Sequence, residues 1–212
     1  MAKMLARREL LFKRGGEMRV DVLLEQFRIM KSGSSKGSCS GLVLVNWLPP
    51  GEVQAANPAG RKVMLSDSEP VNFNGFQEQF ELRATVTGKS WLEVQIISAT
   101  NFGLLGKLIA EIIDFAKGKW PLPLGSSLLD AIADDVKDGA LQVIAVGRSQ
   151  VFPADSIPKR IDIELQASAD VVGWSEPTEP ITGTARDGGS DREVLLEKGE
   201  PNGSVTLCIE PA

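Results

Sequence analysis

Over most of its length this chain alternates apolar and polar positions, the period of a β-strand with one buried face. From Arg19 to Met30, Val20, Val22 and Leu24 alternate with Asp21, Leu23 and Glu25, and Phe27 and Ile29 follow. A Gly/Ser-rich loop from Ser32 to Ser40 breaks the run. Gly41 to Leu48, GLVLVNWL, is apolar almost throughout, as a buried strand is, and Pro49-Pro50-Gly51 stops it. Glu52 to Gly60 reads as a loop, Arg61 to Leu65 as a short strand and Ser66 to Pro70 as a polar turn.

The strongest hairpin pattern comes next. Phe76, Phe80, Leu82, Ala84 and Val86 share one parity, and Gln79, Glu81, Arg83 and Thr85 the other. Thr87-Gly88-Lys89-Ser90 supplies a short Gly-containing turn, and Trp91 to Ser98 is the expected return strand. Later strands are expected at Leu141, Val143 and Ala145, and at Ile161, Ile163 and Leu165, with Phe152 to Pro158 as a turn-rich crossover. Asp170 to Ser190 reads as a long surface loop. A second hairpin is expected from Glu193–Lys198 and Ser204–Glu210, joined by Gly199 to Gly203.

One stretch departs from this pattern. Between residues 101 and 138 the apolar period becomes helical, with Leu105, Leu108, Ile109, Ile112 and Ala116 at steps of three and four. Lys107, Glu111 and Asp114 fall on the other side. Gly118 and Pro121 end this helix, and a second, Leu128 to Lys137, carries Leu128, Leu129, Ile132 and Val136 as its stripe. The whole predicts a mainly β protein: an antiparallel β-sandwich of about eight strands with an inserted two-helix segment, α+β being the alternative class. Residues 18–212 form a single sandwich domain in this reading, preceded by a basic arm over residues 1–17.

Composition narrows the chemistry. Apolar content of 42% and charged content of 24% suit a folded domain, and a net charge of −5 argues against nucleic acid as a partner. The chain has no His and no Tyr. That removes Ser-His-Asp and Cys-His nucleophile pairs, imidazole zinc sites and histidine pH switches. Two cysteines, Cys39 and Cys208, make neither a disulfide framework nor an all-thiolate zinc site, and two reduced thiols are expected. The longest mainly apolar run is broken by Lys107, Glu111 and Asp114, so no transmembrane helix is expected.

The arm carries Lys3, Arg7, Arg8, Lys13 and Arg14 against Glu9 alone before Gly15, and it lacks the apolar segment of a secretory signal. Such an arm suits phosphate, anionic lipid or an acidic neighbouring subunit. Asp134 to Gly139 fails the spacing of an EF-hand loop, because Val136 and Ala145 stand where oxygen ligands belong. Asp187 and Asp191 flank a second acid-glycine cluster, where a calcium ion is the one cofactor the sequence leaves open. Trp47 and Trp91 read as core, Trp120 ends the amphipathic helix, and Trp174 lies in a polar loop open to a partner or sugar.

The function expected from these features is a non-catalytic binding or assembly protein, either cytoplasmic or part of an assembled particle. Leu105, Leu108, Ile109, Ile112, Trp120 and Trp174, with the basic arm, would contact partner subunits in a homo-oligomer or larger assembly. The alternative is a peripheral lipid-binding module of the C2 type, with calcium as its assistant. A third reading is an enzyme using carboxylates and a divalent metal.

Overall fold

The computed structural model describes residues 18–50, 57–73, 82–100, 103, 105–106, 141–151, 159–173 and 193–212. Its strands are β1 Met18–Ile29, β2 Ser38–Leu48, β3 Asn57–Ser66, β4 Pro70–Asn72, β5 Leu82–Val86 and β6 Ser90–Ala99. They continue as β7 Leu141–Val151, β8 Lys159–Gln166, β9 Val171–Val172, β10 Val194–Leu196 and β11 Pro201–Pro211. Nine of them form one curled antiparallel sheet in the order β3-β2-β6-β7-β8-β11-β1-β4, with β5 also paired to β1, and β9 and β10 make a separate two-stranded ribbon.

The sheet folds over at one seam. β7 and β8 are long strands, yet among the described residues Val146–Gln166 is the only position at which they pair. On one side of the seam lie β3, β2, β6 and β7; on the other lie β8, β11, β1, β4 and β5. The curl brings β5 up against β2 and β3, which closes the far side. One core fills the space between the halves, drawing Val43, Val45, Trp47, Leu92, Val94 and Ile96 from the first and Val22, Phe27, Ile161, Ile163, Leu207 and Ile209 from the second.

Local patterning explains each strand. β5 and β8 bury alternate residues, Leu82, Ala84 and Val86 in one and Ile161, Ile163 and Leu165 in the other. β1 changes the parity of its inward residues from Val20, Val22 and Leu24 to Phe27 and Ile29, because a bulge between Leu24 and Gln26 inserts an extra residue. β2 and β6 bury both faces, so their runs are apolar rather than alternating.

Several expectations are corrected. β5 and β6 do not form a hairpin: β5 pairs with β1, β6 pairs with β2 and β7, and the turn at Thr87 to Lys89 carries the chain between the two halves of the sheet. Nor do the last two runs pair, since β10 joins β9 while β11 lies between β8 and β1. β3 begins at Asn57, inside the expected loop, because it pairs with β2 along its whole length. Pro58 is tolerated there because β3 has, among the described residues, no hydrogen-bonded neighbour on its other side. Of the two-helix segment at 101–138, Gly103, Leu105 and Gly106 have helical backbone and the rest lies outside the described residues. Among the described residues no complete helix is present, and the antiparallel β class is what the structure supports.

Candidate functional site

The first half of the sheet has an outer face of unusual composition. Cross-strand register sets its rows: Lys62, Leu42, Ile97 and Val143 in one, Gly60, Leu44, Gln95 and Val146 in the next, and Pro58, Asn46, Glu93 and Arg148 in a third. A fourth row is Leu48, Trp91 and Gln150. Apolar side chains therefore dominate the first rows, and polar ones gather in the third, before Leu48 and Trp91 end the face. Leu42, Leu44, Ile97, Ala99 and Leu141 are fully or nearly fully buried without belonging to the central core. Leu105 is also fully buried, and Gly106 lies against the Lys62 ammonium on this face. Gly106 thus lies beside the row that holds Lys62, Leu42 and Ile97.

At the boundary stands Glu93, 6% exposed. Its Oε1 accepts from Gln95 Nε2 at 2.7 Å and from Asn46 Nδ2 at 3.3 Å. Its Oε2 accepts from Arg148 Nε at 2.6 Å, and Arg148 Nη2 closes an ion pair on the same oxygen. A carboxylate so deep in protein is tenable only with such partners. Arg148 is asymmetric: one edge is spent on Glu93 while the side chain stays 62% exposed. Asn46 Oδ1 and Gln95 Oε1 are buried and have no hydrogen-bond partner among the described residues.

Arg148 also lines a depression of about 380 Å³ at the open seam, with Val146, Gly147, Glu164, Gln166, Ala167 and Ser168. The seam is narrow at Gly147, where a Cβ would stand 2.5 Å from the Glu164 carbonyl oxygen. Ser168 Oγ donates to Val143 O at 3.2 Å, which ties the start of the β8–β9 connection back to β7.

The end of the molecule nearest Trp91 collects the start of β1, the ends of β2 and β7, and the β5–β6 turn. Lys89 Nζ lies 5.4 Å from the centroid of the Trp91 ring, and Arg19 is exposed on β1 opposite Thr85. At the opposite end, Asp67 accepts from the Ser32 backbone at 2.7 Å, and Asn202 clamps the loop after β1 by exchanging hydrogen bonds with the Lys31 backbone. Cys39 sits beneath that loop and donates to Ser32 O at 3.0 Å; burial, with the Asp67 charge adding, pushes its thiol up to about 11. Cys39 and Cys208 are both free.

Among the residues singled out from the sequence, Leu105 is buried rather than displayed. Leu108, Ile109, Ile112, Trp120, Trp174, Asp187, Asp191 and the arm residues Lys3, Arg7, Arg8, Lys13 and Arg14 lie outside the described residues. Among the described residues no three His, Cys, Asp or Glu side chains gather as a metal site, and no helix is long and apolar enough to cross a membrane. Sequence reading passed over Glu93 and Arg148. The signal was available: Asn46 in GLVLVNWL, and Glu93 and Gln95 in WLEVQIISA, are polar residues within mainly apolar runs.

No family model and no curated protein matches the chain. Among solved structures it is similar to the C2A domain of plant Extended Synaptotagmin 1, at 11% identity and a TM-score of 0.38, over 92% of this chain and 95% of that one. A likeness at that level identifies neither a family nor an activity.

Proposed function

We propose that this chain is a non-catalytic, peripheral binding module that docks on an anionic lipid surface by the end bearing Trp91. The observation that carries the reading is Lys89 stacked on the half-buried Trp91 ring, at the end of the sheet where β1 begins and residues 1–17 join it. A cation beside an amphipathic indole suits the boundary between headgroup and acyl chain. The adjoining sequence adds Lys3, Arg7, Arg8, Lys13 and Arg14, and each basic residue near an anionic leaflet contributes about 1 kcal/mol at moderate salt. The net charge of −5 makes this a local effect, confined to one end.

Co-sedimentation with vesicles tests the reading. Phosphatidylcholine vesicles containing phosphatidylserine should retain the chain, pure phosphatidylcholine should not, and added salt should release it. Lys89→Glu, Trp91→Ala and deletion of residues 1–17 should each weaken retention. Failure to bind anionic vesicles at low salt overturns the proposal. Calcium enters through Asp187 and Asp191: retention that needs calcium and is lost in Asp187→Ala marks a calcium-assisted module, and retention unchanged by chelator marks a purely basic contact.

A further inference from the structure

We propose that the open seam between β7 and β8 binds a small amino carboxylate, its carboxylate on Arg148 and its ammonium group on Glu164. Continuing the register from Val146–Gln166 sets Arg148 opposite Glu164 on the outer faces of adjacent strands. A cross-strand pair of opposite charge is the expected outcome there. The ladder does not continue, and Arg148 turns instead onto Glu93. Glu164 is left exposed, with no ion pair among the described residues. Two opposite charges thus border one depression without neutralising each other.

Arg148 is pre-organised for this role. A guanidinium has five N–H donors, and Glu93 takes Nε and one Nη2 hydrogen, leaving the outer edge to a ligand. Glu93 is in turn held by Asn46 and Gln95, so the arginine is fixed before any ligand arrives. Gln166 and Ser168 add an amide and a hydroxyl, and Val146 and Ala167 add apolar lining. A volume of about 380 Å³ lies within the range of small-molecule sites.

Charge selects the ligand class. A simple anion on Arg148 meets the carboxylates of Glu93 and Glu164, and a simple cation on Glu164 meets Arg148. A zwitterion answers both, and free α-amino acids are the simplest that do. The site rests on Arg148 and Glu164 and the vesicle contact on Lys89, Trp91 and the basic arm, so either proposal stands if the other fails.

Calorimetric titration of the full chain with free α-amino acids, glycine first and then larger side chains, tests the site. Saturable binding is expected for at least one of them, with acetate and methylamine each weaker by on the order of tenfold. Glu164→Gln should weaken binding on the order of tenfold without changing the melting temperature, because Glu164 is exposed. Arg148→Lys keeps the charge beside Glu93 but loses the fork, and should weaken binding to a similar degree. No heat with any amino acid at millimolar concentration, or binding unchanged in both variants, overturns the proposal.

Discussion

Glu93 and its partners show how much one side chain depends on its surroundings. Removing Arg148 strands a buried carboxylate, whose remaining donors are two neutral amides. Arg148→Met should lower stability by about 1–3 kcal/mol in urea unfolding, the penalty of a buried group left poorly satisfied. Adding Glu93→Gln should recover part of that loss, because the charge that needed the arginine is gone. Equal and additive losses in the two variants would show that Glu93 and Arg148 act independently. Cys39 makes a second residue-scale prediction. Its folded thiol titrates near 11 against an ordinary 9.0. Between those values the unfolded chain has released a proton that the folded chain keeps. Its contribution is therefore fully present below pH 9 and is lost as pH rises through about 11. Urea midpoints across that window should fall more steeply in the wild type than in Cys39→Ala; parallel slopes would mean that the thiol is not buried in solution.

At the scale of elements, strand positions were largely legible and strand partners were not. The run Leu82, Ala84, Val86 and the return strand from Trp91 carry every local mark of a hairpin, including Gly88 in the turn. Both are strands, yet each finds its partner elsewhere, β5 on β1 and β6 on β2. A short turn that passes from one half of a curled sheet to the other looks, in sequence, like a turn between paired strands. Close approaches between elements follow the same division, since nothing local to Gly147 or Gly203 reveals what lies across from it. At Gly203 the φ is +124°, and a Cβ would meet the Arg28 carbonyl oxygen at 1.9 Å. At Gly147 the obstacle is the Glu164 carbonyl at 2.5 Å. Both obstacles are backbone, so Gly147→Ala should destabilise by about 1–3 kcal/mol. Gly203→Ala should cost more, because backbone strain adds to the clash. Thermal unfolding of the two variants checks the order.

At the scale of the whole molecule, the two halves of the sheet share one core, joined by a seam with a single paired position among the described residues. Neither half buries its inner face without the other. Unfolding should therefore be one cooperative transition, with calorimetric and van't Hoff enthalpies equal. Two resolved transitions would mean that the seam separates independent units. Oligomeric state belongs to this scale as well. In the assembly reading, residues 101–138 and the arm contact partner subunits; light scattering at high concentration decides it, and a strict monomer counts against it. Leu105 has already found its burial within the chain.

The sequence by itself determined what is local. Alternation set which side chains of β5 and β8 face inward, because neighbouring residues on a strand point to opposite sides. An almost continuous apolar run marked β2 as a buried strand, and the absence of His removed whole classes of chemistry. Tertiary structure alone decided the rest. Asn46, Glu93 and Arg148 come from three strands and meet because long-range packing chose one register among several that the same patterns allow. The open seam beside Arg148 has the same origin: it lies where one curled sheet must turn to enclose its own core.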